Sequence, residues 1–91
     1  MKSARDKAYD RITKERIRQQ ALLAEGKIRV DMAAHRSQLA MTGSYGPKFL
    51  VLAEEVGEVA RAIHENASEV SLHEELVQAA AVVVAWLESF E

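Results

Sequence analysis

A nine-residue pattern occurs twice in the second half of the chain, and it constrains the fold more than any other feature. Leu52-Ala53-Glu54-Glu55-Val56-Gly57-Glu58-Val59-Ala60 is echoed twenty positions later by Leu72-His73-Glu74-Glu75-Leu76-Val77-Gln78-Ala79-Ala80. Both copies read Leu-x-Glu-Glu-x-x-(Glu/Gln)-x-Ala, and both sit in strongly apolar stretches with helical spacing. A carboxylate is rarely buried unless it is paired or bound to a cation. Two matched acidic clusters on apolar helices therefore predict two helices packed together, with a divalent metal held between them.

The rest of the chain reads the same way. No stretch shows sustained period-two alternation with β-branched residues, so strands are not expected. The single proline and three of the four glycines fall at apparent helix ends. A first helix is predicted from about Ser3 to Glu25, stopped by Gly26. Its apolar positions Ala8, Ile12, Leu22 and Leu23 are sparse, which suits the outside of a bundle. A second helix is expected over 28–41, with Ile28, Met32, Leu39 and Met41 weakly aligned. Thr42 to Gly46 reads as a loop. Pro47 then opens a third helix running to about Glu65. Ser71, with Glu74 three residues on, reads as a capping box opening the last helix. The expected fold is all-α, a small bundle of about four helices forming one domain over residues 1–91.

Composition narrows the function classes. There is no cysteine, so disulfides and thiolate metal sites are excluded. The charged start Met1-Lys2-Ser3-Ala4-Arg5-Asp6 is not expected to be a signal peptide. The longest apolar run, Ala79 to Leu87, is nine residues, too short for a bilayer. The expectation is a soluble cytoplasmic protein with no membrane partner.

Residues 1–40 carry ten Lys/Arg against five Asp/Glu, and residues 41–91 two against nine. A basic half beside an acidic half suits a polyanion that chelates a cation, such as a nucleotide with Mg²⁺. It equally suits a solvated basic helix beside an acidic one. Nucleic acid is not the expected partner, because Asp6, Asp10 and Glu15 interrupt the basic residues and aromatic residues are only 5% of the chain.

On a helical wheel Phe49, Leu52, Val56, Val59 and Ile63 form one apolar stripe, with Glu55 at its edge, Glu58 beside it and Glu54 further round. On the last helix Ala79, Val83, Trp86, Leu87 and Phe90 form the stripe. Glu75 falls at the same edge, and Gln78 falls where Glu58 does. Carboxylates crowded at such a seam repel one another, and Mg²⁺ or Mn²⁺ with hard oxygen ligands removes that penalty.

At these residues the chain resembles the MazG-like family of all-α nucleoside triphosphate pyrophosphohydrolases. The family pattern is Glu-Glu-x-x-Glu, a spacer, then Glu-x-x-Asp. Glu54-Glu55-Val56-Gly57-Glu58 matches its first half, and Glu75-Leu76-Val77-Gln78 its second except at the last position. The likeness is strongest over about Lys48 to Glu88 and weaker over residues 1–40. It implies Mg²⁺-dependent hydrolysis of a nucleoside or deoxynucleoside triphosphate to monophosphate and pyrophosphate. It further implies Glu55, Glu58 and Glu75 as metal ligands, with Gln78 at the fourth position. Glu54 or Glu55 would be the residue that orients or deprotonates the attacking water. Lys48 could reach a phosphate oxygen or be a solvated helix-end lysine. Gln78 departs from the family's Asp: its amide oxygen can coordinate a hard cation but brings no charge. The alternative reading is therefore a weakened or silent member that binds nucleotide or a helical protein.

Among other residues, His35, His64 and His73 do not form a metal-ligand spacing. His73 lies beside the acidic motif and could touch substrate, though a capping or surface role is favoured, and for Trp86 core packing is favoured over base stacking. Arg61 is placed to pair with Glu58 at i, i+3. The last helix is apolar almost all round from Ala79 to Leu87, more than one small domain can bury. It predicts a homo-oligomer, and the resemblance implies a dimer or tetramer.

Overall fold

Three helices make up the described architecture: α1 (Ala4–Ala24), α2 (Gly46–His64) and α3 (Glu69–Glu88). The computed structural model describes residues 1–35 and 45–91. Among these the fold is all-α, with no strand.

Each helix begins and ends for a local reason. Ser3 caps α1, its Oγ accepting from the Asp6 N–H at 3.1 Å, and Asp6 lies in the first turn at the positive end of the helix dipole. The helix stops at Gly26, whose φ of +74° is the left-handed conformation glycine adopts without strain. The Lys27 N–H then donates to Leu22 O (2.9 Å) and the Gly26 N–H to Leu23 O (3.0 Å), which satisfies two orphan carbonyls. The same closure ends α2, where Asn66 takes φ +53° and the Ala67 N–H donates to Ala62 O at 2.9 Å. Pro47 sits in the first turn of α2, as the sequence predicts.

Helix α3 is the centre of the arrangement. It packs against both α1 and α2, while α1 and α2 do not pack directly on each other. The core is small: Met32, Val82 and Ala85 are buried together, with Val30, Val51, Leu52 and Trp86 against them. No residue of α1 is fully buried. It is tied to α3 by a two-point ion pair, Arg16 Nε to Glu88 Oε2 at 2.5 Å and Nη2 to Oε1 at 3.3 Å. The radius of gyration is 14.1 Å, against about 12 Å for a compact domain of this length. The three helices thus splay rather than close. Helix α3 is long and apolar enough to cross a membrane on length and composition alone, yet it is also the helix on which the other two pack.

Three sequence expectations are corrected. First, residues 28–35 are not helical, and the remainder of the expected second helix, with most of the 42–46 loop, lies outside the described residues. Asp31 closes a tight turn instead. Its carboxylate accepts from the Ala33 N–H and its carbonyl from the Ala34 N–H, both at 3.1 Å. Second, α3 is capped by Ser68, not Ser71; the Ser68 Oγ accepts from the Ser71 N–H at 3.1 Å. Ser71 is thus the donor inside the first turn.

Third, both apolar stripes are rotated in part: Leu52, Val59, Ala79 and Trp86 stay half-buried as expected, while the other stripe residues do not. The inward line of α2 is Lys48, Leu52, Glu55, Val59 and Ala62, and Phe49, Val56 and Ile63 are exposed. The inward line of α3 is Glu75, Gln78, Val82 and Ala85, continued by its C-cap Ser89, and Leu76, Val83 and Leu87 are exposed, as is Phe90 just past the helix. Small residues at the close approach set this choice, since Ala62, Ala81 and Ala85 let the backbones come together. The rotation carries Glu55 and Glu75 from the stripe edges to the inward lines.

Candidate functional site

Because α1 and α2 straddle α3 without touching, a cleft of about 530 Å³ opens between them. Its α1 wall carries Glu15, Arg18, Gln19 and Leu22, and its α2 wall carries Val51, Glu54 and Glu55. Gln78 and Val82 of α3 line it between those walls, and the Ile28–Met32 segment contributes Val30 and Met32. A mostly apolar pocket with a few convergent polar groups is the usual form of a small-molecule site.

Glu55 is the electrostatic focus of the cleft. Burial pushes its carboxyl above the ordinary carboxylate range, and the charges of Glu75, Glu15, Glu58 and Glu54 push it further the same way. Its Oε2 is shut off from solvent and has no hydrogen-bond partner among the described residues. Such an atom normally has a partner when buried.

The other expected site residues are divided. Glu54 and Gln78 share the cleft with Glu55. Glu75 is half-buried and acts on Glu55 through its charge, but it is not in the lining. Glu58 is exposed and turned to Arg61, whose Nη1 stands 3.4 Å from Glu58 Oε1, the i, i+3 pair read from the sequence.

Lys48 is 0% exposed and lines neither described cavity. Its Nζ donates to the Ala34 carbonyl. Burial lowers its proton affinity, and Asp31 opposes that shift. Lys48 therefore holds the turn at Asp31–Ala34 onto α2, beside Val30 and Met32 of the cleft. Trp86 packs on the core as expected, 5.9 Å ring to ring from Tyr45.

Sequence reasoning missed Glu15 and Arg18. The Glu15 side chain is only 11% exposed. It accepts from Arg18 Nε (2.8 Å), Arg18 Nη2 (2.9 Å) and Gln19 Nε2 (3.3 Å). Glu15, and more weakly Glu55, raise the proton affinity of Arg18. The signal was present as acid and base at i, i+3 on an otherwise solvated helix, but that pattern is common on helix surfaces and marks no site by itself.

Among the described residues no three His, Asp or Glu side chains are gathered closely enough to hold a metal ion. One oxygen in the cleft, Glu55 Oε2, is buried and unpaired in the field of four other carboxylates. No protein family matches this chain, and neither does any curated protein or solved structure.

Proposed function

We propose that the protein is a Mg²⁺-dependent nucleoside or deoxynucleoside triphosphate pyrophosphohydrolase of MazG-like type, with Mn²⁺ as a second competent ion. The observation that carries this reading is Glu55, a carboxylate on the wall of an apolar cleft with raised proton affinity and an unpartnered buried oxygen. A titratable group perturbed by burial and by specific charge partners in a cleft is a functional-site candidate.

In this reading Glu55, Glu58, Glu75 and Gln78 would hold the cation, which requires Glu58 to leave Arg61 and the carboxylates to draw together. Such a cation would supply charge neutralisation of the polyphosphate and a lowered pKa for water. Glu54 or Glu55 takes the proton from the attacking water, and raised proton affinity suits Glu55 to the role. The apolar part of the cleft around Leu22, Val51 and Met32 receives the nucleoside. Lys48 serves the substrate indirectly, by fixing the 28–35 segment at the cleft.

The protein acts as a homodimer or homotetramer in the cytoplasm. What supports assembly is the pair of exposed apolar lines, Phe49, Val56 and Ile63 on α2 and Leu76, Val83 and Leu87 on α3 with Phe90 just past it, each residue at least 40% exposed. An assembled partner is also a source of further groups for a site whose carboxylates are not gathered within one chain.

A second reading is a silent member that binds nucleotide or a helical protein without hydrolysing it. Gln78 and the spread of the carboxylates favour it. The deciding experiment is pyrophosphate release from a nucleotide panel with Mg²⁺ or Mn²⁺. Release that disappears in Glu55→Gln supports the hydrolase; folded protein inert toward every nucleotide supports the silent member.

A further inference from the structure

A second cavity, of about 390 Å³, lies between α1 and α3. Arg11, Lys14 and Arg18 line it from α1, and His73 from α3. The three cations are spaced i, i+3 and i+7, so they form one row along about 10 Å of helix at 1.5 Å per residue. Arg18 is already paired with Glu15. The side chains of Arg11, Lys14 and His73 make no hydrogen bond or ion pair among the described residues, although Lys14 acts on Asp10 through its charge. Glu15 and Glu74 also line the groove; with Glu15 set against Arg18, it retains Arg11 and Lys14 against Glu74, one positive charge in excess.

The groove is not separate from the carboxylate cleft. Glu15, Arg18 and Gln78 line both. Gln78 stands at the junction, and it is the position where the first acidic motif has Glu58. An acid there would face the groove with a negative charge. The amide instead offers both an N–H₂ donor and a carbonyl acceptor at the junction, without charge.

We propose that this groove binds a short polyphosphate chain. Arg11, Lys14 and the His73 ring N–H donate to phosphate oxygens, and the Gln78 amide donates at the end that opens into the cleft. The natural ligand follows from the nucleotide reading above, as the triphosphate tail of the substrate, with the nucleoside in the cleft. Anion affinity itself is a property of the groove and can be measured apart from hydrolysis.

The test is calorimetric titration with sodium tripolyphosphate, without divalent metal, at low and moderate salt. Wild-type protein is expected to bind, more weakly as salt rises. The double variant Arg11→Gln/Lys14→Gln should lose at least about tenfold in affinity, the worth of one charge-assisted contact. Both side chains are exposed on α1 and glutamine is a good helix former, so circular dichroism should be unchanged. Gln78→Glu should also weaken binding, by putting a carboxylate at the junction. No binding by wild type, or equal binding by the double variant, overturns the proposal. So does binding of short single-stranded DNA, lost in the double variant, with no binding of tripolyphosphate. Nucleotide hydrolysis with KM unmoved in the double variant removes the groove and leaves the hydrolase. Tripolyphosphate binding lost in the double variant, with no nucleotide hydrolysed, keeps the groove and removes the hydrolase.

Discussion

Glu75 on α3 lies near enough to Glu55 on α2 for its charge to raise the proton affinity of Glu55, an effect second only to burial. The two residues hold equivalent places in the repeated motif, and the packing of α2 on α3 sets them on facing inward lines. A pair of like charges brought together by packing is a liability unless something binds there.

That liability has a sign in pH. Between the ordinary carboxylate range and Glu55's raised value, the folded protein holds a proton that the unfolded chain has lost. Stability from this group therefore falls as pH rises through that window. Glu55→Gln should raise the metal-free melting temperature at pH 7 by a few degrees, on the order of what a fraction of a kcal/mol gives in a domain of this size. The gain should vanish near pH 4. A variant that melts lower than wild type at pH 7 would contradict the electrostatic account.

Gln78 separates two properties that an acid would confuse. Gln78→Asp adds an anionic oxygen ligand to the cleft, so Mg²⁺ should raise the melting temperature at lower concentration than in wild type. The same substitution should weaken metal-free tripolyphosphate binding. Thermal scans across a Mg²⁺ series, beside the calorimetry, check both. Parallel changes in the two affinities would show that Gln78 does not sit between them.

Lys48 is a structural tie in this fold. Lys48→Ala removes a buried stem and the donor to the Ala34 carbonyl, and should cost about 2–4 kcal/mol by denaturant titration. The pH dependence has the opposite sense to that of Glu55. Between Lys48's lowered value and the ordinary lysine range, the unfolded chain holds a proton that the folded protein has lost, so stability from this group rises with pH. If Lys48→Met shifted KM strongly with stability unchanged, direct substrate contact would replace the tie.

The start of α3 offers a local check. Ser68→Ala should cost about 1 kcal/mol, the usual worth of an N-cap, and Ser71→Ala much less. The order would reverse if the helix began at Ser71.

The oligomer reading turns on exposed apolar residues. Val56→Glu with Val83→Glu should yield monomer by light scattering from a wild-type dimer or tetramer, with helix content kept, because both residues face solvent within one chain. A wild-type monomer at micromolar concentration would contradict it.

The sequence carried the helical class, the pairing of the two motif-bearing helices, Pro47 in the first turn of α2 and the Gly26 stop, because those follow from periodicity and from single-residue backbone preferences. It misplaced the inward faces in part. A wheel weights Phe49, Val56 and Leu87 by apolarity, whereas close helix contact selects small Ala62, Ala81 and Ala85. The α3 cap was misread because Ser68 and Ser71 both precede plausible first turns. Glu15 and Arg18 were not found because their place in the site depends on how α1 lies on α3, a relation 72 residues apart at the Arg16–Glu88 pair that no local pattern encodes.

The most direct measurement is pyrophosphate release from ribo- and deoxyribonucleoside triphosphates with Mg²⁺ or Mn²⁺, with wild type, Glu55→Gln and Glu75→Gln assayed together. The account predicts metal-dependent release of monophosphate and pyrophosphate in 1:1 ratio by wild type, reduced at least about a hundredfold in Glu55→Gln, as expected for loss of a general base. No release from any triphosphate by folded wild-type protein, or undiminished release by Glu55→Gln, would contradict it.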